Sequence, residues 1–335
     1  MQALQLAAIH QPAALREVPT PTPGPGEILV KLHAAALNHR DVWIQKGQYA
    51  GIKLPCTLGA DGAGEVAAYG ENVPADAPAV GTRVLIYPGL RWGDNPRAQA
   101  KDFVVLGMPD PGTFAEYISL PAQYIFPLPT HLSFEQGAAL PLAGLTAYRA
   151  AFTRAQVQPG ERVLVTGVGG GVALTAVQFC AARGAEVWVT SSSEEKIASA
   201  QEFGANGGIN YNAENWVKTL TQQAGGPFDV IIDSAAGAAF GTLLDAAAPG
   251  GRIVFYGGTL GNIPNVPPAK VFWKQLSILG SSMGSLQDFA DMLALVAEKG
   301  LVPVVDKVFP LAEGEAALRR MEAGAQFGKV VLKIV

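Results

Sequence analysis

The feature that most constrains this chain is a cluster of glycines between two apolar runs. Residues 163–166 read VLVT, which is typical of a β-strand, and residues 167–171 read GVGGG, which is typical of a tight turn. The apolar run from residue 172 to 180 is typical of a helix. A strand, a glycine-rich turn and a helix N-terminus together form a place where backbone N–H groups can approach a pyrophosphate.

The chain around this turn alternates between the two periodicities. The match to the dinucleotide-binding fingerprint G-x-G-x-x-G is itself imperfect, because Val168, Gly170 and Ala173 align with its three glycine positions. Alternation of strands and helices predicts a parallel sheet, in which the turn has a defined role. The alternative is a tight turn that binds nothing. The predicted strands are 161–166, 186–190, 208–210, 229–233, 251–256 and 276–280, and the predicted helices are 171–183, 194–203, 213–224, 238–247, 269–274 and 285–299.

The rest of the chain predicts a second, β-rich domain of barrel type. Residues 1–124 contain short strand-like runs between turns, interrupted by a polar, irregular lobe at 88–111. Strand character returns near the C-terminus, and this tail is expected to rejoin the N-terminal part. We therefore predict an α/β protein with a β-rich domain of residues 1–124 and 300–335, a nucleotide-binding domain of residues 125–299, and a cleft between them.

Composition excludes several classes of function. Apolar residues make up 49% of the 335 residues and charged residues 16%, so a large core is expected. The formal net charge is −4 and no run is rich in Lys or Arg, which argues against a nucleic-acid partner. Two cysteines exclude a disulfide framework. No secretory signal or membrane-spanning apolar run is visible, so we expect a cytoplasmic protein without a membrane partner.

The end of the second predicted strand indicates which cofactor binds. NAD sites usually carry Asp or Glu there, which holds the ribose 2′-hydroxyl. This chain has Ser191, Ser192 and Ser193 instead, with Lys196 one turn later. Hydroxyls and a lysine suit a 2′-phosphate, which a carboxylate would repel. We therefore predict NADPH/NADP as the cofactor, the alternative being that Lys196 is a solvated helix residue.

Five further motifs lie along the chain: LNHRD at 37–41, LGADGAG at 58–64, LAGLTAY at 142–148, GGRIV at 250–254 and FGKVVL at 327–332. Together they resemble motifs of the medium-chain dehydrogenase/reductase superfamily, and the resemblance covers essentially the whole chain. It implies a GroES-like catalytic domain, a Rossmann cofactor domain, and transfer of a hydride between a nicotinamide and a substrate.

The resemblance also implies roles for individual residues in cofactor binding. Thr146 is expected near the nicotinamide, and Ser191, Lys196 and Tyr211 at the adenosine 2′-phosphate, although core packing is an equal alternative for Tyr211. Gly257, Gly258 and the segment around Met283 are expected to flank the nicotinamide, and Lys329 to reach the pyrophosphate. The complete set of predicted cofactor-binding residues is Thr146, Gly167, Gly170, Gly171, Val172, Ser191, Ser192, Lys196, Tyr211, Gly257, Gly258, Met283 and Lys329.

The chain departs from the zinc-dependent branch of the superfamily at the metal ligands. Asn38 stands where that branch carries a cysteine, and Ala60 and Asp61 stand where it carries a His-Glu pair. The region 141–144 offers no third ligand, and the lobe at 88–111 contains no cysteine. The four histidines have no partners at ligand spacing. We therefore expect no metal site, and the similarity is closest to zinc-free quinone oxidoreductases.

If the site contains no zinc, the substrate that accepts the hydride must be one whose developing negative charge can be stabilised without a metal. Quinones and α,β-unsaturated carbonyls satisfy this requirement, since their oxyanion or enolate can be hydrogen-bonded or protonated. The predicted catalytic residues are Asn38, as a hydrogen-bond donor, and Tyr49, as a proton donor or else only a packing residue. Asp41 and Asp61 are expected to hold backbone amides. The alternatives are a metal-free alcohol/carbonyl dehydrogenase and a catalytically weak NADPH-binding sensor.

The last predicted strand, 276–280, suggests a partner. It should lie at the edge of the parallel sheet, where an apolar strand is exposed to unwanted pairing. Members of the superfamily pair at this edge. We therefore expect a homodimer that acts on a small-molecule quinone or enone.

Overall fold

The structure is a computed structural model that describes residues 1–334. It divides into two compact units. Unit 1 comprises Met1–Ala143 and Gly284–Val335, and unit 2 comprises Gly144–Met283. The predicted divisions, after residues 124 and 299, both fall within unit 1.

Unit 1 is rich in β-structure. Its seven-stranded sheet has the order β10-β6-β5-β3-β18-β17, with β9 also paired to β3, and smaller sheets join β2-β1-β4 and β7-β8. The strands are β1 Gln2–Leu6, β2 Ala14–Glu17, β3 Glu27–Ala36, β4 Cys56–Thr57, β5 Asp61–Tyr69, β6 Arg83–Ile86, β7 Gly89–Leu90, β8 Val104–Val105, β9 Tyr117–Pro121, β10 Ile125–Pro127, β17 Val305–Pro310 and β18 Lys329–Lys333. The helices are α1 His39–Gln45, α2 Phe134–Ala138, α9 Leu286–Lys299 and α10 Gly314–Glu322.

The register of three strands brings distant parts of unit 1 together. In the antiparallel pairing of β3 with β5, Ala36 faces Asp61, and in the pairing of β3 with β18 the same alanine faces Val331. The close approach of β3 and β5 requires glycine at one point, since a Cβ on Gly64 would lie 2.0 Å from the carbonyl oxygen of Lys31. The end of β3, the start of β5 and the start of β18 therefore meet.

Helix α9 belongs to unit 1 because of its aromatic contact. Phe289 on this helix is buried and packs edge-on against Tyr87 at 5.4 Å and Phe126 at 4.9 Å between ring centroids. The Tyr87 hydroxyl also donates to the carbonyl of Gly284. These contacts explain why the unit boundary precedes the helix rather than following it.

Unit 2 contains the predicted parallel sheet, and the predicted α/β class is confirmed. All strand pairs are parallel, in the order β13-β12-β11-β14-β15-β16. The strands are β11 Arg162–Val165, β12 Glu186–Ser191, β13 Gly207–Asn210, β14 Phe228–Asp233, β15 Ala247–Phe255 and β16 Ser277–Gly280. The helices are α4 Gly171–Ala182, α5 Glu194–Glu202, α6 Trp216–Gln223, α7 Phe240–Ala246 and α8 Pro268–Trp273, and α3 Pro141–Tyr148 spans the unit boundary.

The strand order of unit 2 reverses direction once. The chain runs outward from β11 to β13 and then returns to β14 on the other side of β11. In open parallel sheets, ligands bind outside the carboxyl ends of the strands where this reversal occurs. That point coincides with the glycine-rich turn after β11. Among residues 1–334, no helix has the length and apolar character needed to cross a membrane.

Candidate functional site

Unit 2 holds the glycine-rich turn in a fixed conformation. Gly167 and Gly169 have φ angles of 67° and 136°, which residues other than glycine rarely adopt. The N–H of Val168 donates to the carbonyl of Thr190 at 2.8 Å, and the N–H of Gly167 donates to the Thr190 hydroxyl at 3.3 Å. The end of β12 therefore supports the turn from one side.

The N-terminus of α4 is not capped by a side chain. Gly170 occupies its N-cap position with an extended backbone, and no side chain caps the helix there. A Cβ on Gly170 would meet no atom within 4 Å, so the space in front of the helix is open. The first N–H groups of a helix have no partner within the helix and carry partial positive charge. Gly171 and Val172 therefore supply groups that suit a pyrophosphate.

Lys196 lies directly against this turn. A Cβ on Gly169 would be 2.8 Å from Cδ of Lys196 and 3.4 Å from its Nζ, so any larger residue at 169 would displace the lysine. The N–H of Lys196 donates to the hydroxyl of Ser193, which caps α5. The fold therefore places the Lys196 side chain beside the turn. In the alternative, in which Lys196 is a solvated helix residue, its side chain would extend into solvent instead.

The serines and Tyr211 have different surroundings. Ser191 is buried, and its hydroxyl donates to the carbonyl of Val168 at 3.2 Å and accepts from the N–H of Ser193 at 3.3 Å. It thereby links β12 to the turn. Ser192 is exposed. The Tyr211 side chain is also exposed, at 43%, which excludes the alternative that it packs in the core.

The surroundings of the residues predicted near the nicotinamide do not distinguish a ligand-binding role from a structural one. Thr146 is buried in α3, and Met283 is buried with a left-handed φ of 48°. A Cβ on Gly257 would lie 2.4 Å from the carbonyl oxygen of Ser234, so this glycine serves close backbone packing. A Cβ on Gly258 would meet no atom within 4 Å. Nicotinamide contact stays a prediction for these four residues.

An additional carboxylate, Asp233, stabilises the carboxyl ends of β11 and β14. It is buried and accepts from the Thr166 hydroxyl at 2.6 Å. Its other oxygen accepts from the N–H groups of Ala235 and Ala236 at 3.2 and 2.7 Å. An acidic residue that ends an apolar strand beside the turn was the available signal in the sequence. It was not among the predicted site residues.

Unit 1 contains a buried polar network centred on Asn38. The ammonium of Lys329 donates to the backbone carbonyl of Leu37 at 2.7 Å, to Oδ1 of Asn38 at 2.7 Å and to Oδ2 of Asp61 at 2.9 Å. The Asn38 amide nitrogen donates to the same oxygen of Asp61 at 2.9 Å. Lys329, which is 4% exposed, therefore uses all three of its hydrogens inside unit 1. Its predicted contact with the pyrophosphate stays a prediction.

Both aspartates of this region hold backbone amides, as the sequence suggested. Asp61 is fully buried, and its Oδ1 accepts from the N–H of Leu142 at 2.8 Å. Asp41 is also fully buried, and its Oδ2 accepts from the N–H of Asn38 at 2.8 Å. Burial raises the pKa of Asp41 to about 6, against the opposing effects of the nearby Arg40 cation, the Asn38 hydrogen bond and Lys329.

Arg40 connects Tyr49 to the lobe at 88–111. Its guanidinium is buried and donates to the carbonyls of Val105, Leu106 and Met108. Nε of Arg40 lies 3.4 Å from the Tyr49 hydroxyl, and its guanidinium carbon lies 4.9 Å from the centre of the tyrosine ring. A positive charge therefore lies beside the hydroxyl of the predicted proton donor. Arg40 belongs to the motif LNHRD at 37–41, but the sequence indicated no role for it.

Other candidates in the sequence have structural surroundings. Cys56 is buried in the core of unit 1, and burial raises the pKa of its thiol to about 11, which fits a packing residue rather than a nucleophile. Tyr87 and Trp92 are likewise buried in the core. Within the described residues 1–334, no three His, Cys, Asp or Glu side chains form a group that could hold a metal ion.

Comparisons with known proteins identify both units. The family model described as alcohol dehydrogenase GroES-like domain matches residues 24–130, and the one described as zinc-binding dehydrogenase matches residues 171–298. The chain is 35% identical to the zinc-type alcohol dehydrogenase-like protein YogA of Leptosphaeria maculans, covering 97% of this chain and 96% of that protein. It is 32% identical to quinone oxidoreductase of Mus musculus, covering 99% and 97%. A solved structure named NAD-dependent alcohol dehydrogenase matches with a TM-score of 0.94 and 39% identity, covering all of both chains. The predicted combination of a GroES-like and a Rossmann domain is thereby confirmed.

The raised pKa of Asp41 makes a prediction about stability. A carboxyl group whose pKa is higher in the folded than in the unfolded protein stabilises the fold at pH values below its unfolded pKa. For Asp41, this contribution is lost as the pH rises through about 6. Asp41→Asn removes the titration but keeps an acceptor for the Asn38 N–H. Its free energy of unfolding relative to the wild type should therefore increase between pH 4 and 7, by roughly 2 kcal/mol.

Urea unfolding at pH 4 and pH 7 measures this difference. The exposed Asp76→Asn is the control for loss of one carboxylate, and it should change the free energy of unfolding by less than about 0.5 kcal/mol. A constant difference between Asp41→Asn and the wild type at both pH values would contradict the prediction.

Proposed function

Because this chain belongs to the medium-chain dehydrogenase/reductase superfamily, we propose that it is an NADPH-dependent reductase of quinones or α,β-unsaturated carbonyls that works without a catalytic metal. One observation carries the proposal. Where the zinc-dependent branch would place its ligands, this chain has the amide of Asn38, hydrogen-bonded to Asp61 and Lys329. An amide N–H can hydrogen-bond an oxyanion or enolate and a phenol can protonate it, which suits these acceptors.

The groups of unit 1 act on the oxygen of the substrate. The bound cofactor supplies a hydride to the quinone ring or to the β-carbon of the enone. The Asn38 amide donates a hydrogen bond to the oxygen on which negative charge develops. Tyr49 supplies the proton that completes the reduction, and the Arg40 cation, 3.4 Å from its hydroxyl, stabilises the resulting phenolate until solvent reprotonates it.

The cofactor is held by unit 2. The backbone N–H groups at Gly170, Gly171 and Val172 bind the pyrophosphate, and Lys196 and Tyr211 bind the 2′-phosphate. The support is the open N-terminus of α4, the contact of the Lys196 stem with Gly169, and the 43% exposure of Tyr211. Because the solved relative is named NAD-dependent, the preference for NADPH needs a direct test.

The names of the relatives favour two chemistries. The murine relative is named quinone oxidoreductase, which supports the proposed substrate class. The fungal relative and the solved structure are named after alcohol dehydrogenases, which keeps a metal-free alcohol/carbonyl dehydrogenase as the second candidate. A catalytically weak NADPH-binding sensor is the third, and it is distinguished from both by the lack of turnover.

Purified protein separates these candidates. Oxidation of NADPH is measured with 1,2-naphthoquinone, an enone or an aldehyde as the hydride acceptor. Reduction of NADP⁺ is measured with a simple alcohol as the donor. Turnover with the quinone or enone but not the aldehyde is expected. Turnover with aldehyde and alcohol alone would favour the second candidate, and binding of NADPH by fluorescence without turnover on any substrate would favour the third.

We also propose that the protein is cytoplasmic. Cys56 and Cys180 are both free and buried, as expected for a reducing compartment. The proposed cofactor is consumed there in reduced form. A fluorescent fusion that is exported or sorted to an organelle would contradict this assignment.

Lys196→Ala tests the preference for NADPH. Loss of the ammonium should weaken NADPH binding about 10-fold or more, since a hydrogen bond to a charged group contributes roughly 1.5–3 kcal/mol. NADH lacks the 2′-phosphate, and its dissociation constant should stay within twofold. Fluorescence titration gives both constants. Lys218→Ala on the exposed face of α6 is the matched control, and equal weakening of both cofactors by Lys196→Ala would refute the assignment.

Tyr49→Phe tests the proton donor. The change removes one hydroxyl and keeps the ring under Arg40, so kcat should fall about 100-fold, the usual effect of losing a general acid. The dissociation constant of NADPH should not change. Tyr69→Phe removes an exposed hydroxyl of the same unit and should leave kcat unaltered. Unchanged turnover in Tyr49→Phe would leave the tyrosine as a packing residue.

A homodimer is proposed from the edge of the parallel sheet. Strand β16 lies at that edge and pairs with β15 on one side. Helix α8 precedes it and exposes Phe272 at 56% and Trp273 at 80%. A second copy of the chain that pairs with β16 would cover these apolar groups, which are otherwise a liability.

Leu279→Lys tests the dimer. The residue is half-buried on β16, and a lysine there should prevent strand pairing, so light scattering after size exclusion should give the mass of one chain. Val80→Lys adds the same charge at a site that is 59% exposed in unit 1 and should leave the mass at two chains. A dimeric Leu279→Lys, or a monomeric wild type, would contradict the proposal.

A further inference from the structure

The network around Asn38 fixes the orientation of its amide. An ammonium can only donate hydrogen bonds and a carboxylate can only accept them. Lys329 therefore requires the amide oxygen, at 2.7 Å, and Asp61 requires the amide nitrogen, at 2.9 Å. If the amide were rotated by 180°, its nitrogen would face the Lys329 ammonium, which places two donors together. Its oxygen would face the Asp61 carboxylate, which places two acceptors together.

This orientation leaves one hydrogen of the amide available. The Asn38 amide nitrogen carries two hydrogens, and one is donated to Asp61. The second has no acceptor among residues 1–334. Asn38 is 8% exposed, and this second N–H is the donor of its side chain that the described residues leave without an acceptor.

The charge of Lys329 also changes the strength of this donor. The ammonium lies against the amide oxygen in a buried environment, where electrostatic interactions are stronger than in water. It draws electron density toward that oxygen and leaves the N–H groups more positive. The lysine thus supplies to the substrate oxygen, through the amide, part of the positive field that a metal ion would supply directly.

We propose that Lys329 is a positioning residue that, together with Asp61, orients and polarises the Asn38 amide toward the oxygen of the substrate. This inference rests on the proposed function. It differs from the role at the pyrophosphate that the family resemblance implies for Lys329. The two roles predict opposite kinetic results, because one acts on turnover and the other on cofactor affinity.

Lys329→Met removes the charge and keeps a similar length of side chain. With 1,2-naphthoquinone, kcat should fall about 10- to 100-fold, approaching the loss seen when a single oxyanion donor is removed. The dissociation constant of NADPH should stay within twofold. A 10-fold weaker binding of NADPH with normal kcat at saturation would overturn the proposal and support the pyrophosphate role.

A double variant shows whether Lys329 acts through Asn38. Lys329→Met should reduce kcat in the wild-type background but by less than twofold in the Asn38→Ala background, because the amide it orients is already gone. Equal reductions in both backgrounds would overturn the proposal. Arg320→Met is the matched control, since it breaks a bidentate ion pair with Asp306 in the same unit and should leave kcat unchanged.

The folding of the variant is controlled separately. Lys329→Met leaves the buried Asp61 without its cation, which can destabilise the chain. Lys329→Met combined with Asp61→Asn removes both charges and should fold while still showing the reduced kcat. Recovery of full turnover in this neutral pair would overturn the proposal.

A readout without turnover separates the proposal from the proposed function. With ¹⁵N-labelled asparagine, the side-chain amide resonances of Asn38 are identified by their loss in Asn38→Ala. Lys329→Met should shift these two proton resonances and introduce exchange between orientations. Unchanged resonances would refute the positioning role, whereas a wild type that reduces no quinone or enone would refute the proposed function alone.

Discussion

The contact of Lys329 with Asp61 is the interaction on which the rest of unit 1 depends. Both groups are almost fully inaccessible to solvent, and burying either one alone would cost several kcal/mol. The pair is acceptable only because every remaining donor of the lysine and the second oxygen of the aspartate also have partners. It therefore requires the end of β3, the start of β5 and the start of β18 to be correctly aligned.

This requirement explains what could be predicted from the sequence. Strands and helices of unit 2 followed from local periodicity, and the predicted and observed bounds of β12, 186–190 and Glu186–Ser191, differ by one residue. Asn38 was indicated by the family resemblance, through the motif of five residues that contains it. The partners of Asn38 come from residues 23 and 291 positions away, and no local pattern encodes such contacts.

Two further findings depend on tertiary packing. Helix α9 continues the alternation of strands and helices, so periodicity assigned it to the nucleotide-binding domain, whereas Phe289 packs against Tyr87 and Phe126 of unit 1. Arg40 lies in a recognised motif, but its contacts with the carbonyls at 105, 106 and 108 form only when the lobe folds back over α1. The lobe at 88–111 contains no cysteine, and the sequence indicated no function for it. In the structure, backbone carbonyls of the lobe bind the Arg40 guanidinium and hold it in place.

Two buried cations therefore belong to the Asn38 region: Arg40 lies two residues along the chain, Lys329 contacts Asn38 directly, and each donates to backbone carbonyls. Asp61 balances the lysine directly, whereas Asp41 accepts a backbone N–H and has its pKa raised to about 6 by burial. When Asp41 is protonated, Arg40 and Lys329 outnumber the remaining carboxylate, Asp61, and the segment carries a net positive charge. When the pH is above about 6, Asp41 is ionised and these four charges cancel. Unlike a metal ion, these side-chain cations cannot exchange or leave, so their positions are determined by folding. In the proposed function, these two cations take the place of a metal ion as the source of positive charge for the oxygen of the hydride acceptor.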